Sequence, residues 1–389
     1  MDNLLYDLFR AYYSARKNKR NTINALSFEI NHEEKIFRLY REIKSRKYKI
    51  SPSLCFISFR PVKREIFASD FRDRVVHHLI YNYINPVFEK VFINDTYSCR
   101  TGKGTSCGIE RAEHFIRSCS KNYSKDCHIL KLDIKGYFMA MDRSLLYKKV
   151  KETLKNFKEK TDFDLDLVLY LVYKTIFNDP VKNCKVKGKI TDWKGLPKSK
   201  TLFWTKRGKG LPIGNLTSQL FGNVYLNEFD HFIKEELKIK CYGRYVDDII
   251  IIHKDKEYLK ILVSLLKRHL KQNFFLELHS KKIYLQHFSK GVLFLGAIIK
   301  PYRSYIGRRT KGNFYRKIGY WKDFFENNKG KMSKKNKSDF LASVNSYLGA
   351  IKRKNTYKLR KKIVVEYLLP FFEKYILSSG DYGKVVLKT

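Results

Sequence analysis

The stretch CYGRYVDDIIIIHKD, residues 241–255, sets two adjacent carboxylates between two runs that have the composition of buried strands. Asp247 and Asp248 repel each other, and neither can be buried cheaply without a positive partner. The pattern predicts a strand–turn–strand hairpin with the two aspartates at its turn. A turn is an ordinary place for aspartate, so the pair alone does not establish catalysis. The rest of the chain must indicate what neutralises it.

The composition of the 389-residue chain limits the classes of partner. Lys and Arg total 80 against 38 Asp and Glu, a formal net charge of +42, and 15% of the residues are aromatic. Such an excess opposes compaction and favours a polyanionic partner. Aromatic rings among the basic residues favour nucleic acid because they can stack on bases. The alternative is a solvated basic surface. A hydrophobic content of 43% excludes a disordered chain.

Cysteine usage and apolar runs bear on the compartment. The seven cysteines are scattered without zinc-site spacing, so we expect reduced thiols. Residues 1–17 lack the basic-then-apolar order of a signal peptide. The runs IIIIH and GVLFLGAII are too short to cross a bilayer. We expect a cytoplasmic protein without a membrane partner.

The periodicity of apolar residues places these features on elements. It predicts helices within 1–50, a strand hairpin over 53–68, a helix over 71–92, a strand within 127–138, an insertion over 156–210, and a helix over 215–237 capped by Thr217 or Ser218. From 301 to 362 there are 19 Lys and Arg against 3 acidic residues. A charge run is usually a solvated face, but here Tyr, Phe and Trp are interleaved with it, which favours nucleic-acid contact.

A third carboxylate gives the pair a chemical meaning. Asp133 lies at the end of the strand in CHILKLDIKGYF, and it would join Asp247 and Asp248 if one sheet pairs the two segments. Three oxygen donors without Cys or His suit Mg²⁺ or Mn²⁺ rather than zinc. Two such ions can clamp the attacking and leaving oxygens of nucleotidyl transfer. The positive partner is therefore predicted to be metal, completed by a nucleoside triphosphate.

The segments KLDIKGYF, GLPIGNLTSQ, YVDD and FLG resemble, in order and rough spacing, the palm motifs and primer grip of bacterial reverse transcriptases. RPVKREIFASDFRDR resembles the fingers, and YSCRTGKGT the segment before the first catalytic aspartate; the likeness extends over about 30–365. It implies an α+β right-hand fingers–palm–thumb fold with an antiparallel palm sheet and a helical thumb. The implied domains are an N-terminal helical extension 1–50, fingers 51–125, a palm 126–300 with the insertion 156–210, and a basic thumb and tail 301–389.

The resemblance also implies roles for single residues. Asp133, Asp247 and Asp248 match the catalytic, metal-binding carboxylates. The implied nucleotide-binding residues are Lys63, Arg64, Phe138 (a gate against the ribose 2′-hydroxyl), Ile213, Gly214, Gln219 and Lys282 (near the leaving pyrophosphate). The implied nucleic-acid-binding residues are Arg100, Tyr245, the primer grip Phe294, Leu295 and Gly296, and Arg308 and Arg309. Without the motifs, Phe138 would be a core aromatic, and a structural ion pair competes with phosphate binding for Arg100.

The segment LPIGNLTSQ departs from the commonest form of the family. Most reverse transcriptases have glutamine where this chain has Ile213, and proline where it has Gln219. The IGxxxSQ form is similar to that of diversity-generating retroelement enzymes and of some antiphage defence-associated reverse transcriptases. Isoleucine cannot hydrogen-bond to the incoming nucleotide, and losing one polar contact weakens substrate discrimination. We therefore hypothesise relaxed or unusual nucleotide selection.

The resemblance implies an RNA-directed DNA polymerase that uses two Mg²⁺ ions, with Mn²⁺ as an alternative, and dNTPs to make cDNA. We favour antiphage defence with a dedicated structured non-coding RNA, because the inserted loop and the extended tail look like partner surfaces. One alternative is an error-prone enzyme of a diversity-generating retroelement with a small accessory protein. From another class, the alternative is a non-catalytic RNA-binding scaffold, which the intact triad disfavours. Self-association and the mode of priming, including priming by a tyrosine, stay open.

Overall fold

The computed structural model describes residues 3–17, 22–59, 62–352 and 356–388. In these ranges the helices are α1 (Asn3–Arg16), α2 (Ile23–Glu29), α3 (His32–Lys44), α4 (Phe71–Val91), α5 (Thr105–Cys119), α6 (Tyr137–Ala140), α7 (Arg143–Asn156), α8 (Leu165–Phe177), α9 (Leu216–Tyr225), α10 (Asn227–His231), α11 (Lys256–Phe274), α12 (Arg308–Asn327), α13 (Lys334–Lys352), α14 (Tyr357–Lys362) and α15 (Leu369–Phe372). The strands are β1 (Ser53–Ser58), β2 (Arg64–Ala68), β3 (His128–Asp133), β4 (Cys184–Val186), β5 (Tyr242–Tyr245), β6 (Asp248–His253), β7 (Tyr284–His287), β8 (Val292–Phe294), β9 (Ala297–Lys300), β10 (Arg303–Ile306), β11 (Ile376–Ser378) and β12 (Val385–Leu387). The predicted α+β class is confirmed. Arg60 and Pro61, which begin the segment that resembles the fingers, lie outside the described residues.

The sheet that positions the carboxylates has four strands in the order β5-β6-β3-β7. Strands β5 and β6 pair antiparallel as the predicted hairpin, and β3 lies beside β6. The four central residues of β6, IIII at 249–252, are all buried. A strand this apolar needs cover on both faces, and the register of the hairpin is thereby strongly specified.

The insertion contributes a strand of its own. Residues 184–186 form β4, which pairs parallel with β1, while β1 and β2 form the predicted antiparallel hairpin. The rest of the insertion consists of α8, short 3₁₀ turns and connecting loops. The stretch predicted as an insertion, 156–210, thus contains the helix α8 and the strand β4. A three-residue strand is too short to show a periodicity in the sequence.

The helix predicted over 215–237 is divided. Helix α9 ends at Tyr225, α10 follows, and residues Phe232–Glu236 form a π-helical turn. The predicted caps are wrong, because the residue before the first helical turn is Asn215. The hydroxyl of Thr217 instead hydrogen-bonds to the ring of His77, a contact with a distant helix that the local sequence cannot indicate.

The chain forms two compact units. The first comprises residues 1–108, 130–251 and 255–285, and the second comprises 109–129, 252–254 and 286–389. The second unit has its own core, built on Phe314, Trp321, Phe340, Leu348 and Phe372 among others. The predicted junction between palm and thumb, at residue 300, falls inside this unit. Among the helices that the structure describes, none combines the length and the apolar character needed to cross a membrane.

Candidate active site

The turn of the central hairpin is formed by Val246 and Asp247, because Tyr245 pairs with Asp248. Val246 has a φ of +56°. Two-residue hairpin turns require a positive φ at their first position, and a β-branched residue adopts it only at a cost. Strain of this kind amounts to about 1–3 kcal/mol and is found at functional sites. The geometry of the aspartate turn therefore has to be maintained by its surroundings.

A buried ion pair stabilises this turn. Arg244 donates from Nε and Nη2 to the carboxylate of Asp230, at 2.7 and 2.5 Å, and both side chains are fully buried. Its Nη1 donates to the carbonyl of Val246 at 2.9 Å, so the guanidinium holds the strained residue directly. Tyr242 and Thr96 donate their hydroxyls to the same carboxylate. The sequence analysis missed this network, although a charged residue within an otherwise apolar strand was an available signal.

The three predicted carboxylates lie at one end of the sheet. Asp133 is the last residue of β3 and Asp248 is the first residue of the neighbouring β6. The backbone N–H of Ile134 donates to the carbonyl of Asp247 at 3.3 Å, which ties the end of β3 to the hairpin turn. The structure thus brings together three residues from segments more than a hundred positions apart.

The electrostatics of the site show an excess of negative charge. Burial, together with Asp133 and Asp248, raises the pKa of Asp247 to about 6. Two lysines balance the other carboxylates: Lys282 Nζ lies 2.8 Å from Asp133, and Lys131 Nζ lies 3.1 Å from Asp248. Lys282 was predicted to lie near the leaving pyrophosphate, whereas Lys131 was missed.

These residues suit a divalent ion by their chemistry. All three donors are carboxylates, the ligands that Mg²⁺ and Mn²⁺ prefer, and the unbalanced charge on Asp247 calls for a cation. Over the part of the chain that the structure describes, no three acidic, His or Cys side chains already converge on one point. Asp133 and Asp248 are each paired with a lysine instead.

Two basic residues were predicted to hold the triphosphate from the β1–β2 hairpin. Arg64 is exposed at the start of β2 and lies near the phenol of Tyr245. Burial raises the pKa of Tyr245, whereas its hydrogen bond with Ser98 and the charge of Arg64 oppose that rise. Lys63 donates to the carbonyl of Lys194 at 2.6 Å, so its ammonium is already engaged. Of the two, Arg64 is the better placed to meet a phosphate.

The predicted gate and the IGxxxSQ segment lie close together in the first unit. Phe138 and Ile213 both pack on one small apolar cluster that contains Phe67. A Cβ added to Gly222 of α9 would lie 3.4 Å from the ring of Phe138, so the ring lies over that glycine. Gly214 has a φ of +125°, which only glycine adopts easily. The last residue of the motif, Gln219, is exposed on α9.

A buried polar network attaches this segment to the fingers hairpin. The hydroxyl and the N–H of Ser69 donate to Asn215 Oδ1 at 2.8 and 3.2 Å. Both ring nitrogens of His77 are hydrogen-bonded, one to Ser69 Oγ at 3.0 Å and the other to Thr217 Oγ1 at 2.8 Å. Burial is the main cause that lowers the pKa of His77 to about 3, so the ring is neutral at physiological pH. Sequence reasoning missed this network.

Arg100 does not behave as predicted. Its side chain donates to Glu89 at 2.9 Å and to the carbonyls of Ile93 and Thr96 at 2.7 and 3.1 Å. It is only 6% exposed. A guanidinium held by a carboxylate and two carbonyls has little capacity left for a phosphate. The structure therefore favours the alternative reading of Arg100 as a structural ion pair.

The predicted primer grip belongs to the second unit. Phe294 and Ala297 pair across a turn formed by Leu295 and Gly296, whose φ values are +48° and +84°. The N–H of Gly307 donates to the carbonyl of Gly296 at 2.8 Å. The turn at FLG is therefore in close backbone contact with Gly307. Arg308 and Arg309, at the start of α12, are exposed.

The chain is similar to one protein family and to several known proteins. The family described as "Reverse transcriptase (RNA-dependent DNA polymerase)" matches residues 58–299, more than half of the chain. Protein YkfC of Escherichia coli (strain K12) is 22% identical over 268 residues, which cover 61% of this chain and 63% of that protein. The structure of apo telomerase from Candida tropicalis, truncated from its C-terminal domain, has a TM-score of 0.47 at 15% identity. The match covers 69% of this chain and 59% of that one. Telomerase from Candida albicans in complex with a fragment of telomeric RNA has a TM-score of 0.46 at 13% identity, covering 86% of this chain and 64% of that one. The chain spans less than two thirds of each relative.

The segment that matches the family contains the carboxylate triad, the gate residue, the IGxxxSQ segment and the FLG turn. Members of this family use divalent metal ions and deoxynucleoside triphosphates, in agreement with the all-carboxylate donor set. The predicted fingers–palm–thumb fold is the fold of the family. This chain belongs to the reverse transcriptase (RNA-dependent DNA polymerase) family.

Proposed function

We propose that this chain is an RNA-directed DNA polymerase that makes cDNA with Mg²⁺ and dNTPs. The observation that carries the proposal is the placement of Asp133, Asp247 and Asp248 at the same end of the sheet. With a formal charge of +42, the chain nevertheless keeps a group of negative charge at this point, where the pKa of Asp247 is raised to about 6. A site for two divalent cations explains why such a costly arrangement is kept.

Each residue then has a defined task. The three carboxylates would hold the metal ions, which supply charge stabilisation at the phosphoryl group and at the attacking and leaving oxygens. Arg64 binds the triphosphate from the fingers hairpin. Lys282 changes partner from Asp133 to the leaving pyrophosphate. The buried pair Arg244–Asp230 keeps the aspartate turn in place, so that alignment of the reactants contributes to the rate.

Extension of a primed RNA template tests the proposal. The purified chain, given a DNA primer annealed to RNA, Mg²⁺ and all four dNTPs, is expected to produce DNA up to the template end. The product should resist RNase, and no product should form when EDTA replaces Mg²⁺. If the folded protein binds the primed RNA but never extends it, with Mg²⁺ or Mn²⁺, the non-catalytic scaffold replaces the polymerase.

The gate makes a specific prediction about sugar selection. Phe138→Ala is expected to raise kcat/KM for ribonucleotides relative to deoxyribonucleotides by about 10- to 100-fold, because the ring that would clash with a 2′-hydroxyl is removed. Single-nucleotide incorporation with dATP and ATP measures the ratio. Phe138→Tyr keeps the ring and is the matched control. An unchanged ratio in Phe138→Ala would assign the ring to core packing on Gly222 alone.

The departure at Ile213 makes a prediction about fidelity. We propose that the IGxxxSQ form relaxes nucleotide selection, since Ile213 packs on the same apolar cluster as Phe138 at a position where an amide is usual. Ile213→Gln is expected to change the frequencies of individual misincorporations several-fold. Sequencing of cDNA made from a defined template measures these frequencies. Ile213→Val, which stays apolar, is the control. Identical spectra for all three proteins would contradict the proposal.

For the biological role, we propose antiphage defence with a dedicated structured non-coding RNA, in the cytoplasm. The basic insertion within the first unit supports a dedicated RNA partner, and the absence of a disulfide among the seven cysteines supports the cytoplasm. The alternative is a diversity-generating retroelement, which would supply an accessory protein and a repeat-bearing template. Sequencing the RNA that co-purifies with the chain, together with its cDNA, distinguishes them: an unrelated structured RNA supports defence, and a template repeat overturns it.

A further inference from the structure

The insertion packs directly on the turn that follows Asp133. Gly136 has a φ of +57°, and a Cβ added to it would lie 2.7 Å from the carbonyl oxygen of Ser199. Further along, the N–H groups of Gly210 and Leu211 donate to the carbonyls of Met141 and Phe138, both at 2.8 Å. The insertion therefore contacts the backbone of the segment that follows Asp133.

A groove lies where the two meet. We call it the loop groove and define it by Lys135, Lys198, Trp204, Lys206, Lys209 and Phe275. Its cavity has a volume of about 250 Å³, and an adjoining cavity of about 320 Å³ shares Lys206 and Lys209. The acidic residue on its wall, Glu277, is paired with Lys135 at 3.6 Å. The groove therefore presents a strongly positive surface.

Two aromatic rings in this groove face solvent. Trp204 is 66% exposed and Phe275 is 53% exposed. Lys198 Nζ lies 4.4 Å from the centre of the Trp204 ring, and Lys209 Nζ lies 5.7 Å from the centre of the Phe275 ring. Exposed rings of this size lose the free energy that burial would supply. Single exposed rings are common, but two rings that line one basic groove form a surface suited to a ligand.

The backbone conformation at Phe275 is unusual for a residue with a large side chain. Phe275 ends helix α11 with a φ of +54°, and its N–H donates to the carbonyl of Leu270. Glycine or asparagine is the usual residue at such a position, and a bulky side chain there is strained. Phe275 therefore carries a mostly exposed ring at a strained backbone position, a combination that also occurs at functional sites.

We propose that the loop groove binds a single-stranded segment of nucleic acid next to the active site. Bases stack on Trp204 and Phe275, and phosphates contact Lys198, Lys206 and Lys209. This combination of a basic groove with aromatic platforms is how single strands are bound without sequence preference. An acidic peptide would use the lysines but not the rings. The inference rests on the proposed function for its purpose, since the strand is template RNA or product DNA.

Binding of labelled 12-nucleotide oligouridylate and oligodeoxyuridylate to the full chain, without dNTPs, tests the proposal. Trp204→Ala is expected to weaken binding about tenfold, the usual cost of removing one stacking ring, without changing the salt dependence. Lys198→Ala/Lys206→Ala is expected to reduce the slope of log K against log salt by about 1.4, because each phosphate contact on a single strand contributes about 0.7. A preference for one oligomer identifies which strand occupies the groove.

Matched controls separate the groove from the general basic surface. Tyr6 is 57% exposed and lies under Arg10, so Tyr6→Ala removes a comparable ring outside the groove. Lys151→Ala/Lys267→Ala removes two exposed lysines of the first unit. Both controls are expected to stay within twofold of the wild type in affinity, with its salt slope. Affinity of Trp204→Ala within twofold of Tyr6→Ala overturns the proposal.

Two further outcomes are distinguishable. If dATP displaces the oligomers and the lysine variant changes only the KM for dATP, the groove is a triphosphate site, and the single-strand proposal is wrong. Because binding is measured without dNTPs, the result does not depend on polymerase activity. If a chain that never extends a primer binds the oligomers strongly through the loop groove, the proposed function is refuted, but the single-strand proposal still holds.

Discussion

Asp248→Asn and Asp247→Asn are each expected to reduce dNTP incorporation by about a thousandfold or more. Each substitution removes one charged ligand from the cluster with Asp133, and a charge contact that stabilises a transition state contributes several kcal/mol. Single-turnover extension of a primed RNA template measures the loss. Affinity for the same primed RNA, measured by anisotropy, should stay within a few-fold, because phosphate contacts are spread over the basic surface.

The control for this result is Asp166→Asn, which changes an exposed aspartate in the first turn of α8 and should retain full activity. A variant at Asp247 or Asp248 with more than a tenth of wild-type activity would contradict the assignment of the triad.

The raised pKa of Asp247 adds a stability test in EDTA. Its pKa is about 6 in the folded chain against 3.8 for the ordinary carboxyl. The folded state binds this proton more tightly, so the free energy of unfolding falls as the pH rises from about 4 to about 6, and the charged form then costs about 3 kcal/mol. Asp247→Asn lacks the penalty and should melt at a higher temperature than the wild type at pH 7.5, but not at pH 4. Equal melting temperatures at pH 7.5 would show that ionised Asp247 carries no such penalty.

Arg244→Met is expected to destabilise the first unit by about 3–5 kcal/mol, measured by urea unfolding. The reason is that Asp230 would remain buried without its cation. The double variant Arg244→Met/Asp230→Leu removes both charges and should recover most of that stability. Its incorporation rate should nevertheless stay at least tenfold below the wild type, because the carbonyl of Val246 has lost the Nη1 donor at 2.9 Å.

An exposed pair provides the comparison. Lys260 and Glu257 on α11 lie 2.8 Å apart at the surface, and Glu257→Gln should cost less than about 1 kcal/mol with no loss of rate. If the double variant at Arg244 and Asp230 polymerised at the wild-type rate, the buried pair would serve folding only, and the turn would keep its geometry without it.

Local pattern was sufficient for the elements that carry the carboxylates. The hairpin of 241–255 and the strand before Asp133 are predictable from the sequence. Each is an apolar run bounded by polar residues, and such a run is visible among neighbouring positions of the chain. Their association in one sheet followed from the resemblance to a family, and not from the pattern. The sequence did not indicate the contacts of Arg244 with Asp230 and of Lys131 with Asp248, and for Arg100 it offered an ion pair without indicating Glu89 as the partner.

By itself, the sequence determined that Asp133 lies at a strand end and that Asp247 and Asp248 lie at a hairpin turn. It also determined that the chain is strongly basic and that Ile213 stands where an amide is usual. Only the tertiary structure decided which charges meet. It pairs Asp133 with Lys282 and places two aromatic rings beside the lysines of the loop groove. The physical reason is range: backbone preference and burial act over a few residues, whereas a charge responds to whatever the folded chain brings within a few ångströms.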